Sequence, residues 1–366
     1  MKVLHLIDSG GLYGAEQMLL ALAEEQIKQG LEPIILSCGL PNEADKPLEI
    51  VAESRKITVI KWRMSAGLNF SGAWGILKFS QQNDVDILHS HGYKFNILFA
   101  IFPRPIRQIP FVTTVHGYVF AKKYSAMSIY QWLDKLALKM ADIICLVSPS
   151  MKNIPSFKHK SSAKVKVIPN GINEDKTVKI DFQHNHQASL NLLAIGRIVR
   201  EKDFSLLIDA VALAIKKGNS LSLTIMGEGP LKSELDKQIK WLELTDVVNL
   251  AGFIEQPAQY FDSFDALVMS STTEGLPITL LEAMRDKLPI IATRVGGIPS
   301  LLGDSDYLVP PQQVEPLAQA IIKMAAQCPE DREKIALENQ QRFMVSYTSK
   351  IMNNSYLGVY HEALSS

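Results

Sequence analysis

The stretch KVLHLIDSGGLYGAEQMLLALAEEQIKQGLEPIILSC (residues 2–38) decides the fold. KVLHLI (2–7) is a short apolar run of the kind that forms a buried strand. The glycine-bearing loop DSGGLYGAE (8–16) follows it. An amphipathic helix is expected from about Glu16 to Gln29, ended by Gly30, and EPIILSC (32–38) is the next strand. A strand, a glycine loop, a helix and a second strand form the opening unit of a doubly wound parallel sheet.

The unit repeats outward from there. DILHSH (86–91) and FVTTVHG (111–117) read as strands that each run into a loop with a histidine. ADIICLVSPSM (141–151) and KVKVIPNGI (164–172) continue the series. The polar segment NEDKTVKIDFQHNHQAS (173–189) reads as a linker. A second series begins at LNLLAIG (190–196) and runs through LSLTIMG (221–227), VVNLAG (247–252), ALVMSS (266–271) and LPIIATRVGG (288–297). Residues from about 314 to the end read as helical. The expectation is an α/β chain of two Rossmann-like domains, 1–172 and 190–346, joined by 173–189. A terminal helix spans 347–366.

Composition agrees with that division. At 366 residues the chain suits two domains, and at 47% hydrophobic residues each can bury a core. Cys38, Cys145 and Cys328 are far apart and form no CxxC pair, which points to a reducing, cytoplasmic compartment. No apolar run reaches the length of a membrane span, and Asp8 interrupts the first one too early for a signal peptide. A soluble protein, or one held on the inner membrane face peripherally, is expected. Net charge is zero, yet residues 1–170 hold 20 Lys and Arg against 13 Asp and Glu. Within them, residues 55–170 hold 17 against 4. Such asymmetry points to an anionic partner, membrane lipid or nucleic acid.

Ligands of an open parallel sheet sit beyond the carboxyl ends of its strands. In the second series those ends carry GRIVREK (196–202), with Arg197 and Lys202, then GEGP (227–230), then STTEG (271–275), with Glu274. Pro277 suits the first position of a helix, whose free N–H groups at Ile278 and Thr279 would form an anion site. Two cations beside it suit a diphosphate. Glu282 would lean back over that helix start, where a carboxylate accepts from a vicinal diol such as a ribose. Taken alone, the Glu274–Glu282 spacing is equally that of acidic residues near a helix start.

With these motifs in order, the chain resembles the retaining GT-B glycosyltransferases of glycosyltransferase family 4, the group 1 enzymes. The resemblance rests on GRIVREK (196–202), MGEGP (226–230), AGF (251–253), EGLPITLLEAM (274–284), LPIIATRVGGIP (288–299) and VIPNGI (167–172), together with GLYGAEQ (11–17) and TTVHG (113–117). It implies a GT-B fold of two domains facing a central cleft, with the terminal helix returning to the first domain. It implies that Arg197 and Lys202 bind and stabilise the departing diphosphate, that Glu282 holds the ribose, and that Glu274 bonds the transferred sugar. Gly10, Gly11 and Gly14 would bring backbone N–H groups to the phosphate, Gly227 would line the donor site, and Phe253 and Ile254 would wall the base. His116 would lie near the anomeric centre, while His89 and His91 read as structural. Asn170 and Gly171 would form the domain-joining turn.

The chain departs from the family pattern at Tyr13, Arg285, Lys287 and Ser300, which bears on donor geometry. No metal and no cofactor are expected. The Asp84-Val85-Asp86 triplet precedes a strand rather than following one, Cys/His spacing offers no zinc site, and no GxGxxG fingerprint occurs. The implied partners are a UDP- or GDP-sugar donor and a glycan or lipid-linked acceptor, with an anionic membrane surface for the basic half and no nucleic acid. A nucleotide-sugar epimerase and a non-catalytic binding subunit are the alternatives.

Overall fold

Val-, Ile- and Leu-rich runs form strands without polar alternation only when both sheet faces are covered. That is the situation of the central strands of both sheets in this chain. The structure is a computed structural model describing residues 1–366 except 9, 118–125, 155–156, 158–163, 176 and 183–189, and the side chains of 126–127. It divides into two units, Met1–Asn173 with Tyr347–Ser366, and Glu174–Ser346.

The first unit holds β1 (Lys2–Ile7), β2 (Glu32–Gly39), β3 (Thr58–Arg63), β4 (Ile87–Ser90), β5 (Phe111–Val115), β6 (Ile143–Leu146) and β7 (Val165–Val167). They lie in the order β3-β2-β1-β4-β5-β6-β7, every pair parallel. The first helix, Gly14–Lys28, packs Leu19, Leu20 and Ala23 onto Ile7 and Ile35. The closing helix Ser349–Ser365 belongs to this unit. Thr348 caps it by accepting from the Ile351 N–H at 3.3 Å. Ser349 N–H donates to the Ile172 carbonyl at 2.8 Å. Gly171 is required at this junction, because a Cβ there would lie 2.4 Å from the Thr348 carbonyl oxygen.

The second unit holds β8 (Leu190–Ile195), β9 (Leu221–Met226), β10 (Val248–Gly252), β11 (Ala266–Met269), β12 (Ile290–Thr293) and β13 (Leu308–Val309). Their order is β10-β9-β8-β11-β12-β13, again all parallel. Leu192, Ala194, Leu223, Ile225 and Val268 pack against Leu207, Val211, Leu317 and Ile321 of the helices Phe204–Lys216 and Val314–Ala325. Thr177, Ile180 and Phe182 are bonded to this unit through Arg285, Gln259 and Ser263. Residues 176 and 183–189 of the expected linker lie outside the described residues. Strand order reverses between β1 and β4 in one unit and between β8 and β11 in the other. These are the points where a doubly wound sheet opens a crevice at its carboxyl edge.

Candidate functional site

The reversal point of the second sheet carries the charged residues. Lys202 ends the short 3-10 turn Arg200–Lys202 after β8, and Glu274 lies in the loop after β11. The two strands are neighbours, so their loops meet. Lys202 Nζ donates to Glu274 Oε1 at 2.6 Å. Ser271 Oγ donates to the same oxygen at 2.6 Å. Ser270 Oγ donates to the Lys202 carbonyl at 2.8 Å, and Thr272 N–H donates to the Glu201 carbonyl at 2.8 Å. Both charged side chains are largely withdrawn from solvent, at 23% and 11% exposure. Lys202 keeps two further ammonium protons for an anion. Arg197, on the same loop, is exposed.

The helix Ile278–Arg285 begins after Pro277 with no side-chain cap. Its first N–H groups, including those of Ile278 and Thr279, therefore have no partner within the helix and present a positive dipole end. Ile278 itself is buried and can contribute only its backbone. Glu282, one turn on, has no ion pair among the described residues. Burial raises its carboxyl from 4.5 to about 7; Arg285 works against the rise and Asp286 adds to it. Arg285, one of the departures from the family pattern, donates to Asp286 Oδ2 at 2.9 Å and to Thr177, so it is a structural group.

Glycines hold these loops together. A Cβ on Gly227 would lie 1.9 Å from the Gly196 carbonyl oxygen, and one on Gly229 would lie 2.3 Å from that of Ile198. Gly227 thus seats the loop after β9 against the loop after β8. Gly296 is the tightest: its φ is +54°, and a Cβ would lie 1.7 Å from the Glu274 carbonyl oxygen. Gly297 N–H then bonds the Gly275 carbonyl at 2.7 Å. Gly296→Ala is expected to cost about 2–4 kcal/mol, combining the left-handed backbone with a backbone clash. A thermal melt reads this, and a melting temperature equal to that of the wild type would show that the loop gives way freely. Phe253, 72% exposed, projects from the turn after β10, with Ile254 partly buried beside it.

In the first unit, Tyr13 N–H donates to Glu16 Oε2 at 2.9 Å and starts the helix Gly14–Lys28. Gly11 is buried against the Tyr13 ring, where a Cβ would meet Cε2 at 2.7 Å. The ring therefore occupies the space beside the glycine. A Cβ on Gly10 would meet nothing within 4 Å. Asp86 Oδ2 accepts from the Lys2 N–H at 2.7 Å at the amino end of β4, which gives that carboxylate a structural use. His116 follows β5 and bonds His91 Nδ1 through its Nε2 at 3.1 Å. Sequence reading does not single out His5, Gln26 or Ser271. Ser271 could have been found from its adjacency to TTEG; His5 looks like any residue of an apolar strand.

Among the described residues, His5, His89 and His91 place one ring nitrogen each within 4.8 Å of one another. Every ring nitrogen of these three already bonds a protein group. Ligating a metal there would cost those bonds.

Known proteins share this architecture. Residues 13–176 match the Glycosyltransferase Family 4 description, and residues 189–327 match Glycosyl transferases group 1. HepE of Anabaena, solved in complex with UDP, superposes with a TM-score of 0.81 at 21% identity, covering 99% of this chain and 100% of that one. The O-antigen chain mannosyltransferase C of Escherichia coli is 24% identical over 100% of both chains. The UDP-Gal:alpha-D-GlcNAc-diphosphoundecaprenol alpha-1,3-galactosyltransferase of Escherichia coli is 25% identical over 68% of each. Fold and matches together define a GT-B glycosyltransferase, an enzyme that moves a sugar from a nucleotide-diphosphate donor to an acceptor. Within that class the chain is a homologue of the group 1 enzymes of glycosyltransferase family 4.

Proposed function

We propose that this enzyme retains anomeric configuration while moving a hexose or N-acetylhexosamine from a UDP- or GDP-sugar to a hydroxyl of a glycan or lipid-linked acceptor. The observation that carries this reading is the Lys202–Glu274–Ser271 cluster at the strand-order reversal, one loop away from an uncapped helix start. When the C1–O bond to the donor breaks, negative charge grows on the departing diphosphate. Lys202, Arg197 and the N–H groups of Ile278 and Thr279 bring positive charge to that edge, and such pre-arranged charge is a large catalytic term. Glu282 would accept from the ribose diol, Glu274 from a hydroxyl of the sugar, and Phe253 would offer its ring to the base. His116 would bond a hydroxyl near the anomeric carbon. The UDP-sugar galactosyltransferase and the UDP complex of HepE favour uridine as the base. The test is turnover of a panel of UDP- and GDP-sugars, with NMR of the product's anomeric proton. An inverted linkage would sink the retaining assignment, and release of free epimerised donor without acceptor would replace transfer by epimerisation.

The membrane part of the reading has its own observation. The helix Ala126–Ala137 exposes Ile129, Trp132 and Leu136 on one stripe, with Lys135 alongside and Lys139 and Met140 just beyond. Apolar and basic groups together suit an anionic lipid surface. No helix among the described residues is long and apolar enough to cross a membrane. Replacing Ile129 and Trp132 by Ser is expected to weaken co-sedimentation with phosphatidylglycerol vesicles about tenfold or more, from the lost apolar burial. Equal sedimentation of both proteins would remove the helix from the membrane reading.

A further inference from the structure

His116, half-buried, is the last member of a file of imidazoles in the first unit whose other members are buried. Gln26 Oε1 lies 2.9 Å from His5 Nε2, His5 Nδ1 lies 3.0 Å from His91 Nε2, and His91 Nδ1 lies 3.1 Å from His116 Nε2. His116 Nδ1 is buried and has no hydrogen-bond partner among the described residues. Gln26 is held at its other end, where Nε2 donates to Tyr360 Oη at 3.4 Å. Tyr360 Oη also bonds His89 Nδ1 at 2.8 Å, and His89 Nε2 bonds Thr114 Oγ1 at 2.8 Å.

A neutral imidazole has one N–H and one lone pair, so each link in such a file dictates the next. The Gln26 oxygen can only accept. His5 must then carry its proton on Nε2 and accept at Nδ1. His91 must donate to that nitrogen from Nε2, and so it accepts at Nδ1. His116 must donate to His91 from Nε2, which leaves His116 Nδ1 without a proton.

We propose that Gln26, His5 and His91 are positioning residues that fix His116 in the Nε2–H tautomer and so make its Nδ1 a dedicated acceptor for a substrate hydroxyl. The hydroxyl rests on the reading of His116 above; the tautomer does not. The reverse file needs the Gln26 amide turned over, with its nitrogen donating to His5 and every imidazole proton moved to Nδ1. His116 would then bury an N–H with nothing to receive it, a rarer and costlier defect than an unused lone pair. Burial favours the neutral forms from which such a file is built. It lowers His5 and His116 to about 4 and holds His89 and His91 well below the usual imidazole range. An acceptor at His116 would hold a hydroxyl with its proton toward the ring and leave the oxygen lone pairs free.

The experiment is long-range 1H–15N NMR of the full chain labelled with 15N-histidine, without substrate, near pH 7. His116→Gln assigns the His116 signals by their loss. The expected result is an unprotonated Nδ1 and a protonated Nε2 on His116, His5 and His91 alike. Gln26→Met removes the oxygen that sets the file, and His5→Phe cuts it; in each, His116 is expected to become a mixture of tautomers. A protonated Nδ1 on wild-type His116 would overturn the proposal. So would an unchanged tautomer in both variants. If either variant fails to fold, the wild-type spectrum still decides. Because no donor or acceptor is present, a wrong assignment of the transfer reaction cannot imitate either result.

Discussion

Replacing Lys202 by Ala is expected to lower kcat for sugar transfer by about a hundredfold to a thousandfold, the cost of losing one pre-arranged donor to a developing oxyanion. The donor KM should change far less, since the effect belongs to charge that grows in the transition state. Two consequences of the substitution must be separated. Lys202 is also the ion-pair partner of Glu274 at 2.6 Å, and Glu274 is only 11% exposed. Its removal leaves a withdrawn carboxylate held, among the described residues, by Ser271 alone, which is expected to destabilise the protein by about 1–3 kcal/mol. Adding Glu274→Gln removes the unpaired charge, so the double variant should regain stability while remaining inactive. A folded Lys202→Ala protein that retains turnover within tenfold of the wild type would end the diphosphate-stabilising role of this lysine.

The parallel α/β class and the two-sheet series were legible because buried strands and glycine loops write themselves as short apolar runs with punctuation. β3 and β13 were not. β3 is an edge strand whose residues TVIKWR are partly exposed throughout, so its pattern carries polar residues and no clear alternation. β13 is two residues long. The charged candidates Arg197, Lys202, Glu274 and Glu282 could be named from sequence because chemistry after a strand end has a known address. Their mutual arrangement could not. The Lys202–Glu274 pair spans 72 positions and depends on β8 and β11 being neighbours, a property of strand order. The imidazole file is further hidden. The His5–His91 link spans 86 positions and depends on β1 lying beside β4, where the His91 N–H meets the Leu6 carbonyl, and nothing in either strand alone predicts that meeting.

Glu282→Gln is expected to act in opposite directions on stability and on donor binding. In the folded chain the Glu282 carboxyl is raised from 4.5 to about 7, mainly by burial. Below 4.5 it is protonated whether the chain is folded or not, and contributes no pH dependence. Between 4.5 and about 7 the folded state keeps a proton that the unfolded state has lost. Stability therefore falls as pH rises through this window, by about 3 kcal/mol at the conversion of 1.36 kcal/mol per unit. Glutamine never ionises, so the variant should be more stable than the wild type above pH 7 and nearly equal to it below 4.5. Donor binding reverses the preference. A ribose diol donating to the carboxylate favours the charged form, which lowers the carboxyl's proton affinity in the complex. Wild-type affinity for a UDP-sugar should then rise as pH increases through about 7, with a proton released on binding. The diphosphate diester has no proton of its own to lose in that range. In the glutamine variant the pH dependence should vanish, and affinity above pH 7 should fall about tenfold to a hundredfold, the worth of a hydrogen bond to a charged acceptor. Calorimetry in two buffers of different ionisation enthalpy measures the released proton directly. A variant that loses both stability and affinity at every pH would mean that Glu282 supports the helix Ile278–Arg285 and does not meet the ribose.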